Sequence, residues 1–230
     1  MTLSVTSGGN AAVYLKTDSA QILIDPFFQE VGGVGGRPVW FGGAETPPAN
    51  LVLITHAHPD HLDTRKTLAY LKKSSAVLAG PEAAVRFFRQ DIPAERLLSL
   101  EPREGKKPPD AVEKKLGELS LTAFRTYHAS GHNSYLLEMP GVRVYHDADN
   151  ELTQPLDIAR LGQLDALFLC PWAGSGAGEL LSRLKPGKWF LIHMNDSEIS
   201  DHRAGYFLPG LISPVPSGVV ALSPGEKMEI

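Results

Sequence analysis

The chain has 230 residues, of which 43% are hydrophobic, and this length and composition suffice for one sizeable buried core. We therefore expect a single domain spanning residues 1–230. The net charge of −4 and the lack of a long basic stretch give no indication of a nucleic-acid partner, and we expect none. No segment resembles a secretion signal or approaches the roughly 18 apolar residues of a membrane span, so we expect a soluble, cytoplasmic protein.

The chain begins with strand signals. Residues Ala12–Lys16 and 21–25 are apolar segments on either side of a turn-prone sequence, and we expect them to form a hairpin. The glycine-rich residues 31–43 predict a long loop, either a connector or a flap that covers a site with Trp40 and Phe41. This loop does not match a phosphate-binding loop, because no G-K-[ST] sequence follows it.

A strand and a helix follow this loop. The apolar residues 51–54 predict a strand, and Thr64–Lys73 predicts a helix with Leu68 and Leu71 on its apolar face. A strand over residues 76–79 would complete a βαβ unit.

The remaining expected elements are short apolar runs bounded by turn residues. They are strands over residues 96–100, 119–127, 134–139, 142–145, 166–169, 189–192 and 218–222, and helices over residues 81–89 and 179–184. The charged residues 101–118 predict a solvated loop or the edge of a hairpin. Each half of the chain thus runs from strands into βα units, which predicts two mixed β-sheets packed face to face with helices outside.

The single cysteine, Cys170, excludes an internal disulfide. Its sequence context, ALFLCPW, is apolar, and a thiol in such a strand behaves as a small hydrophobic side chain. We expect Cys170 to be buried and inert rather than a metal ligand or a nucleophile.

The most informative segment is LVLITHAHPDHLD, which places His56, His58, Asp60 and His61 directly behind an apolar strand. Imidazole and carboxylate donors at this spacing suit Zn, Mn or Fe in a hydrolytic or redox site. Asp60 has a second interpretation compatible with the first, because a Pro-Asp pair is also a common signal at a helix N-terminus.

Later strands also end in residue types that bind metals. In chain order these residues are His128, Asp147, Asp149 and His193, each close behind a predicted strand. Strands of one sheet present their ends along a common edge, so donors that are far apart in sequence can meet there.

With these residues the chain resembles the metallo-β-lactamase superfamily, whose members carry a His-x-His-x-Asp-His turn and then a His, an Asp and a His at strand ends. The resemblance covers the whole chain. It is similar in particular to the branch containing ascorbate-6-phosphate lactonase and N-acyl phosphatidylethanolamine phospholipase D, through ILIDPFF, YHASGHNSYLLE and KPGKWFLIHMND. This resemblance implies an α/β fold: a four-layer αβ/βα sandwich of two mixed β-sheets with flanking helices.

The resemblance also implies a dinuclear site for two divalent metal ions, with Zn expected and Mn or Fe as alternatives. One ion would be bound by His56, His58 and His128, the other by Asp60, His61 and His193. Asp149 would bridge the two ions. It is preferred to Asp147 because the sequence Ala148-Asp149-Asn150 fits the Gly-Asp-Thr-like turn of the family.

Two histidines compete for one ligand position. His132 lies in a Gly-His-Asn sequence that resembles the ligand-bearing Gly-His-Thr string of many relatives, whereas His128 precedes a small residue and Ser, as in the favoured branch. We therefore expect His128 to bind metal and His132 to face the substrate.

Other polar residues near the motifs receive smaller roles. We expect Asp25 and Asp63 to orient ligand imidazoles through their free N–H groups. Asp196 is expected in a turn, and His146 and His202 are expected to be ordinary surface or packing residues.

These assignments predict a metal-dependent hydrolase acting on a small-molecule ester, lactone or phosphodiester. Two divalent ions lower the pKa of a bridging water toward neutrality, and we expect the resulting hydroxide to attack the substrate. The expected catalytic residues are Asp60, which would also collect the water's proton, and His132, which is one of two candidates, with water, for protonating the leaving group. The alternatives are a di-iron redox protein of the same fold and a non-catalytic metal-binding scaffold protein.

Overall fold

The computed structural model of the chain describes residues 2–29, 45–171, 177–205 and 218–230. These residues form fourteen strands in two seven-stranded sheets, together with five α-helices. The glycine-rich loop expected over residues 31–43, with Trp40 and Phe41, lies outside the described residues.

The first sheet combines the first six described strands of the chain with the last one. They are β1 (Ser4–Gly9), β2 (Ala12–Lys16), β3 (Gln21–Ile24), β4 (Leu51–Leu53), β5 (Val77–Gly80), β6 (Leu97–Ser99) and β14 (Lys227–Glu229). Their order is β14-β1-β2-β3-β4-β5-β6. Pairing is antiparallel from β14 to β3 and parallel from β3 to β6.

The second sheet repeats this arrangement. Its strands are β7 (Ala111–Leu116), β8 (Leu119–Arg125), β9 (Asn133–Met139), β10 (Val142–His146), β11 (Ala166–Leu169), β12 (Lys188–Leu191) and β13 (Val219–Ala221). They lie in the order β13-β12-β11-β10-β9-β8-β7. Pairing is antiparallel from β7 to β10 and parallel from β10 to β13.

The central core lies between the two sheets. Side chains alternate between the two faces of a strand, so Val13 and Leu15 of β2 enter this core while Tyr14 lies in the cluster on the outer face. Leu121 and Leu137 of the second sheet belong to the same central cluster. One apolar face of each sheet is thus buried against the other.

Helices cover the outer faces of both sheets. The first sheet is covered by α1 (Thr64–Lys73) and α2 (Glu82–Val85), and the second sheet by α3 (Ile158–Leu161), α4 (Ala177–Leu184) and α5 (Asp196–Arg203). Leu71 of α1 packs into the outer cluster of the first sheet, and Leu180 and Ile199 into that of the second. The expected four-layer αβ/βα sandwich is therefore confirmed.

Several elements differ from the sequence expectation. The strands β1 and β14 and the helices α3 and α5 were not expected, and Asp196 is the first residue of α5 rather than a turn residue. The charged residues 101–118 contain β7, which pairs with β8, so the hairpin-edge interpretation of this segment is correct. The helix expected over residues 81–89 is the short α2 followed by a 3₁₀ turn, Arg86–Phe88.

Two further expectations concern burial and membranes. Cys170 is buried in the central core, as expected of an apolar context. Among the described residues, no helix has both the length and the apolar character needed to cross a lipid bilayer.

Candidate metal centre

The predicted metal-binding residues lie at one edge of the sandwich. Residues 56–61 follow β4 of the first sheet, and His128, Asp149 and His193 follow β8, β10 and β12 of the second sheet. Both β8 and β10 pair antiparallel with β9, and β12 is joined to β10 through parallel pairs with β11. The three strands therefore run in one direction, and their carboxyl ends share one edge of the second sheet.

Three histidines from the two sheets form the first donor cluster. His58 Nδ1 lies 3.0 Å from His56 Nε2 and 3.2 Å from His128 Nε2. Nitrogen donors at about 2.0–2.1 Å from a tetrahedral Zn are themselves about 3.3 Å apart, so the cluster has nearly the spacing that such an ion requires.

The second donor cluster contains two histidines and two carboxylates. Asp149 Oδ2 lies 2.9 Å from His61 Nε2 and 3.4 Å from His193 Nε2. Asp60 Oδ2 lies 3.2 Å from His193 Nε2 and 3.8 Å from His61 Nε2. In each cluster the donor atoms all lie within 4.8 Å of one another.

Asp149 links the two clusters. Its Oδ2 belongs to the second cluster and lies 3.8 Å from His128 Nε2 of the first. Its Oδ1 is buried and has no hydrogen-bond partner among the described residues. A buried carboxylate oxygen normally has such a partner, so this atom fits a role in binding a cation.

A buried carboxylate beneath the site orients one imidazole of each cluster. Asp25 is fully buried and accepts hydrogen bonds from the Thr55 backbone N–H at 2.8 Å, the Thr55 hydroxyl at 2.6 Å and His61 Nδ1 at 2.8 Å. The Thr55 oxygen in turn lies 3.0 Å from His56 Nδ1 and can accept its proton. With protons on both Nδ1 atoms, His56 and His61 direct the unprotonated Nε2 toward the donor clusters.

Two other residues form hydrogen bonds to members of the donor clusters. Glu151 Oε1 accepts a hydrogen bond from His128 Nδ1 at 2.9 Å, which leaves His128 Nε2 for the first cluster. The Asn10 side chain donates to the Asp60 carbonyl at 2.6 Å, and the Asn10 carbonyl accepts from the His193 backbone N–H at 2.9 Å. Asn10 therefore connects Asp60 and His193, which follow strands of two different sheets.

The electrostatics of the second cluster favour a positive charge at its centre. Burial lowers the pKa of His61, but the Asp149 and Asp25 carboxylates outweigh burial and raise this pKa well above its ordinary value. Burial raises the pKa of Asp149, but His61, His193 and His56 together outweigh burial and hold that pKa well below its ordinary value. The carboxylates therefore favour a positive charge next to His61 Nε2, which a bound metal ion would supply.

The first cluster is electrostatically different. Burial, followed by the charge of neighbouring imidazoles such as His61, holds the pKa of His56 far below its ordinary value. Burial and His128 likewise lower the pKa of His58. Both imidazoles are therefore neutral with free lone pairs, which is the form in which histidine binds metals.

His132 occupies a different position from the one expected. It is fully buried, its Nδ1 lies 2.8 Å from the Thr126 hydroxyl, and its Nε2 accepts the Asp149 backbone N–H at 3.2 Å. Both ring nitrogens are engaged, and neither donor cluster contains the residue. The expectation that His132 faces the substrate is therefore not met.

Asp63 also differs from its expected role. Its side chain accepts the Lys66 backbone N–H at 3.0 Å and caps the N-terminus of α1. The helix-start signal in the sequence thus belongs to Asp63 rather than to Asp60. His146 is fully buried and stacks on Phe168, as a packing residue, and His202 lies in α5 outside both clusters.

Sequence reasoning missed Thr55, Glu151 and Asn10, although each lies close to a motif. Thr55 directly precedes the histidine turn, and Glu151 follows Asp149 by two residues. Asn10 follows two glycines and has a φ of 50°, a conformation that Asn adopts more readily than most residues. The Gly-Gly-Asn sequence was the only signal for it.

Comparisons with known proteins agree with this geometry. A family model described as a beta-lactamase superfamily domain matches residues 20–194. The chain is 27% identical to a UPF0173 metal-dependent hydrolase of Thermococcus kodakarensis, over 95% of this chain and 96% of that protein.

Solved structures show the same fold. Igni18, a metallo hydrolase from Ignicoccus hospitalis, has a TM-score of 0.67 at 18% identity and covers 100% of this chain and 99% of its own. The metallo-beta-lactamase fold protein YhfI from Bacillus subtilis has a TM-score of 0.66 at 16% identity, with 99% of each chain covered.

The family match spans most of the chain, the two-sheet sandwich is that of the structural neighbours, and the donors lie at the shared edge. The chain belongs to the beta-lactamase superfamily and is a metal-dependent hydrolase with the metallo-β-lactamase fold.

Proposed function

We propose that this protein is a dinuclear hydrolase that cleaves a small-molecule ester, lactone or phosphodiester. The site would bind two divalent cations, because its donors are imidazoles and carboxylates. Zn is the expected metal, with Mn or Fe as alternatives. One set is His56, His58 and His128, and the other is Asp60, His61 and His193. The observation that carries the proposal is the position of Asp149 Oδ2, 2.9 Å from His61 Nε2 and 3.8 Å from His128 Nε2, where one carboxylate can serve both sets.

When bound, two such cations supply an activated water and polarise the substrate oxygen that accepts charge. The chain's own residues position the reacting groups. Asp60 keeps its negative charge: burial raises its pKa, but the hydrogen bond from His193 and the charges of His61 and His193 together outweigh burial and hold that pKa below its usual value. Its side chain is 20% exposed, so Asp60 can take the proton of the attacking water and release it to solvent.

The surroundings of His128 support a small substrate. A cavity of about 320 Å³ lies next to the His128 side chain, and its lining residues include Arg125, Tyr127 and Ser130. Ligand pockets in proteins are typically about 300–1,000 Å³, so a compact molecule fits this space. The leaving group is then protonated by solvent water, because His132 has no free ring nitrogen.

The restriction to esters, lactones and phosphodiesters rests on the resemblance to the branch that contains ascorbate-6-phosphate lactonase and N-acyl phosphatidylethanolamine phospholipase D. The motifs ILIDPFF and KPGKWFLIHMND carry this resemblance. The relative from Thermococcus kodakarensis is itself named a metal-dependent hydrolase.

The test combines metal content with turnover. We expect the purified chain to hold two divalent ions and to hydrolyse at least one member of a panel containing an aryl phosphodiester, a lactone and a thioester. His58→Ala should lose an ion of the first set, Asp149→Ala should lose ions of both, and both variants should lose turnover. His202→Ala is the matched control, because His202 lies outside both clusters.

Unchanged turnover in either ligand variant would overturn the proposal. Two bound ions without hydrolysis of any member of the panel would favour the metal-binding scaffold, and iron that changes its oxidation state with substrate would favour the redox protein.

A further inference from the structure

We propose that His132 is a positioning residue that fixes the backbone of Asp149, and that it neither binds metal nor transfers a proton. This inference rests on the proposed function in one respect, namely that Asp149 serves both cations. The buried imidazole of His132 would thus act on the bridging carboxylate of Asp149 and not on the substrate.

The hydrogen bonds of His132 fix its tautomer. The Asp149 backbone N–H points to His132 Nε2 at 3.2 Å, and a backbone amide can only donate. His132 Nε2 must therefore be unprotonated, and the ring proton is on Nδ1. The Nδ1–H donates to the Thr126 hydroxyl oxygen at 2.8 Å.

The same chain of hydrogen bonds returns to the Asp149 turn. The Thr126 hydroxyl donates to Ser134 Oγ at 2.7 Å, and the Ser134 hydroxyl donates to the Asp147 carbonyl at 2.8 Å. All these side chains are buried. The relay thus begins at the N–H of Asp149 and ends at the carbonyl of Asp147, so it clamps both sides of the turn between them.

The backbone of the turn at residues 147–149 has an unfavourable conformation that these hydrogen bonds stabilise. Ala148, between Asp147 and Asp149, has a φ of 54°, in the left-handed region that costs energy for a residue with a Cβ. Asp149 Oδ1 has no hydrogen-bond partner among the described residues, so it contributes nothing to holding the carboxylate in place. The carboxylate is held at Oδ2 by His61 Nε2 at 2.9 Å, and the backbone at residues 147–149 sets the position from which the side chain reaches that contact.

The position of the ring excludes the other two roles. The His132 side chain has no exposed surface, and both of its nitrogens are engaged within the protein. Its ring centroid lies 5.0 Å from that of His56 and 5.3 Å from that of His128, so it packs behind ligand imidazoles rather than among their donor atoms. A residue so placed can act on the metals only through Asp149 and its packing.

Three variants test the clamp. His132→Leu removes both hydrogen bonds, His132→Gln retains an amide that can accept from Asp149 and donate to Thr126, and Thr126→Val breaks the relay while keeping the side-chain shape. Thr122→Val, four residues earlier in β8, is the matched control for a buried threonine. Circular dichroism of each variant verifies that it folds.

The first readout is the affinity for Zn alone, measured by competition with a chromogenic chelator. We expect His132→Leu and Thr126→Val to bind the more weakly held ion about tenfold less tightly, as removal of an outer partner of a ligand typically does. His132→Gln should recover most of this loss, and Thr122→Val should show none. Wild-type affinity in both His132→Leu and Thr126→Val would overturn the inference.

The second readout is the rate for aryl esters or aryl phosphodiesters with good and poor leaving groups. A positioning residue affects both to the same extent, so His132→Leu should lower the two rates by the same factor. A selective loss with poor leaving groups would show that His132 protonates the leaving group, and it would overturn the inference.

The third readout does not depend on activity or metal. A ¹H–¹⁵N spectrum of the histidine rings in the metal-free protein should show His132 with its proton on Nδ1 and an unprotonated Nε2. The opposite tautomer would overturn the inference. If the wild-type protein bound a single ion or hydrolysed nothing while the tautomer was as expected, the proposed function would fail and the assignment of the His132 hydrogen bonds would stand.

Discussion

Asp25 and His61 are joined by a hydrogen bond of 2.8 Å between Oδ2 and Nδ1, and both residues are fully buried. Asp25 also reaches His56 of the other donor cluster through the Thr55 hydroxyl. A single carboxylate that follows β3 therefore determines the tautomers of one imidazole in each donor cluster.

The substitution Asp25→Asn tests this relationship. An amide retains the shape of the side chain but cannot accept all three hydrogen bonds from Thr55 and His61. The proton on His61 Nδ1 therefore loses the carboxylate oxygen that accepts it. We expect the affinity for divalent ions to fall about 10–100-fold, measured by competition with a chelator. Asp18→Asn is the control, because Asp18 is exposed. Equal affinities in the two variants would show that Asp25 does not orient the ligands.

Asp63→Ala tests the assignment of Asp63 to the helix cap. The substitution removes the acceptor of the Lys66 N–H at the first turn of α1. We expect the free energy of unfolding to fall by about 1 kcal/mol, measured by urea denaturation, with two bound ions retained. A loss of metal at unchanged stability would instead support the orienting role that the sequence suggested.

His146→Leu tests the pH dependence of stability. Burial lowers the pKa of His146 to about 4, whereas an unfolded histidine titrates near 6.5. Between these values the unfolded chain binds more protons, so the free energy of unfolding decreases as the pH falls from 6.5 to 4. His146 alone contributes about 3 kcal/mol to this decrease.

The measurement is urea unfolding of both proteins between pH 4 and 7, with chelator present so that metal binding does not add its own pH dependence. Because Leu does not titrate, we expect the unfolding free energy of the wild type to decrease relative to that of His146→Leu as the pH falls. Curves that stay parallel would contradict a neutral, buried His146.

The strands and the donor types were predictable because their signals are local. Apolar runs such as residues 51–54 and 166–169 indicate buried strands wherever they pack, and β4 and β11 lie within them. The histidine turn carries four donors within a few residues, so its donor types can be recognised without the rest of the chain.

Other elements could not be predicted because their signals depend on distant partners. The strand β14 pairs with β1 through residues such as Met228 with Val5, at opposite ends of the chain, and β1 lies between β14 and β2 in the sheet. Neither sequence has the regular alternation of a strand that is recognised alone.

Taken alone, the sequence determined a two-sheet α/β fold and a set of imidazoles and carboxylates at strand ends. The tertiary structure decided that Asp149 lies next to both donor clusters, that Asp25 and Asn10 position residues of these clusters, and that His132 lies behind them. The physical reason is that residue type fixes what a side chain can bind, whereas hydrogen bonds across the two sheets fix the atom it presents and the direction in which it points.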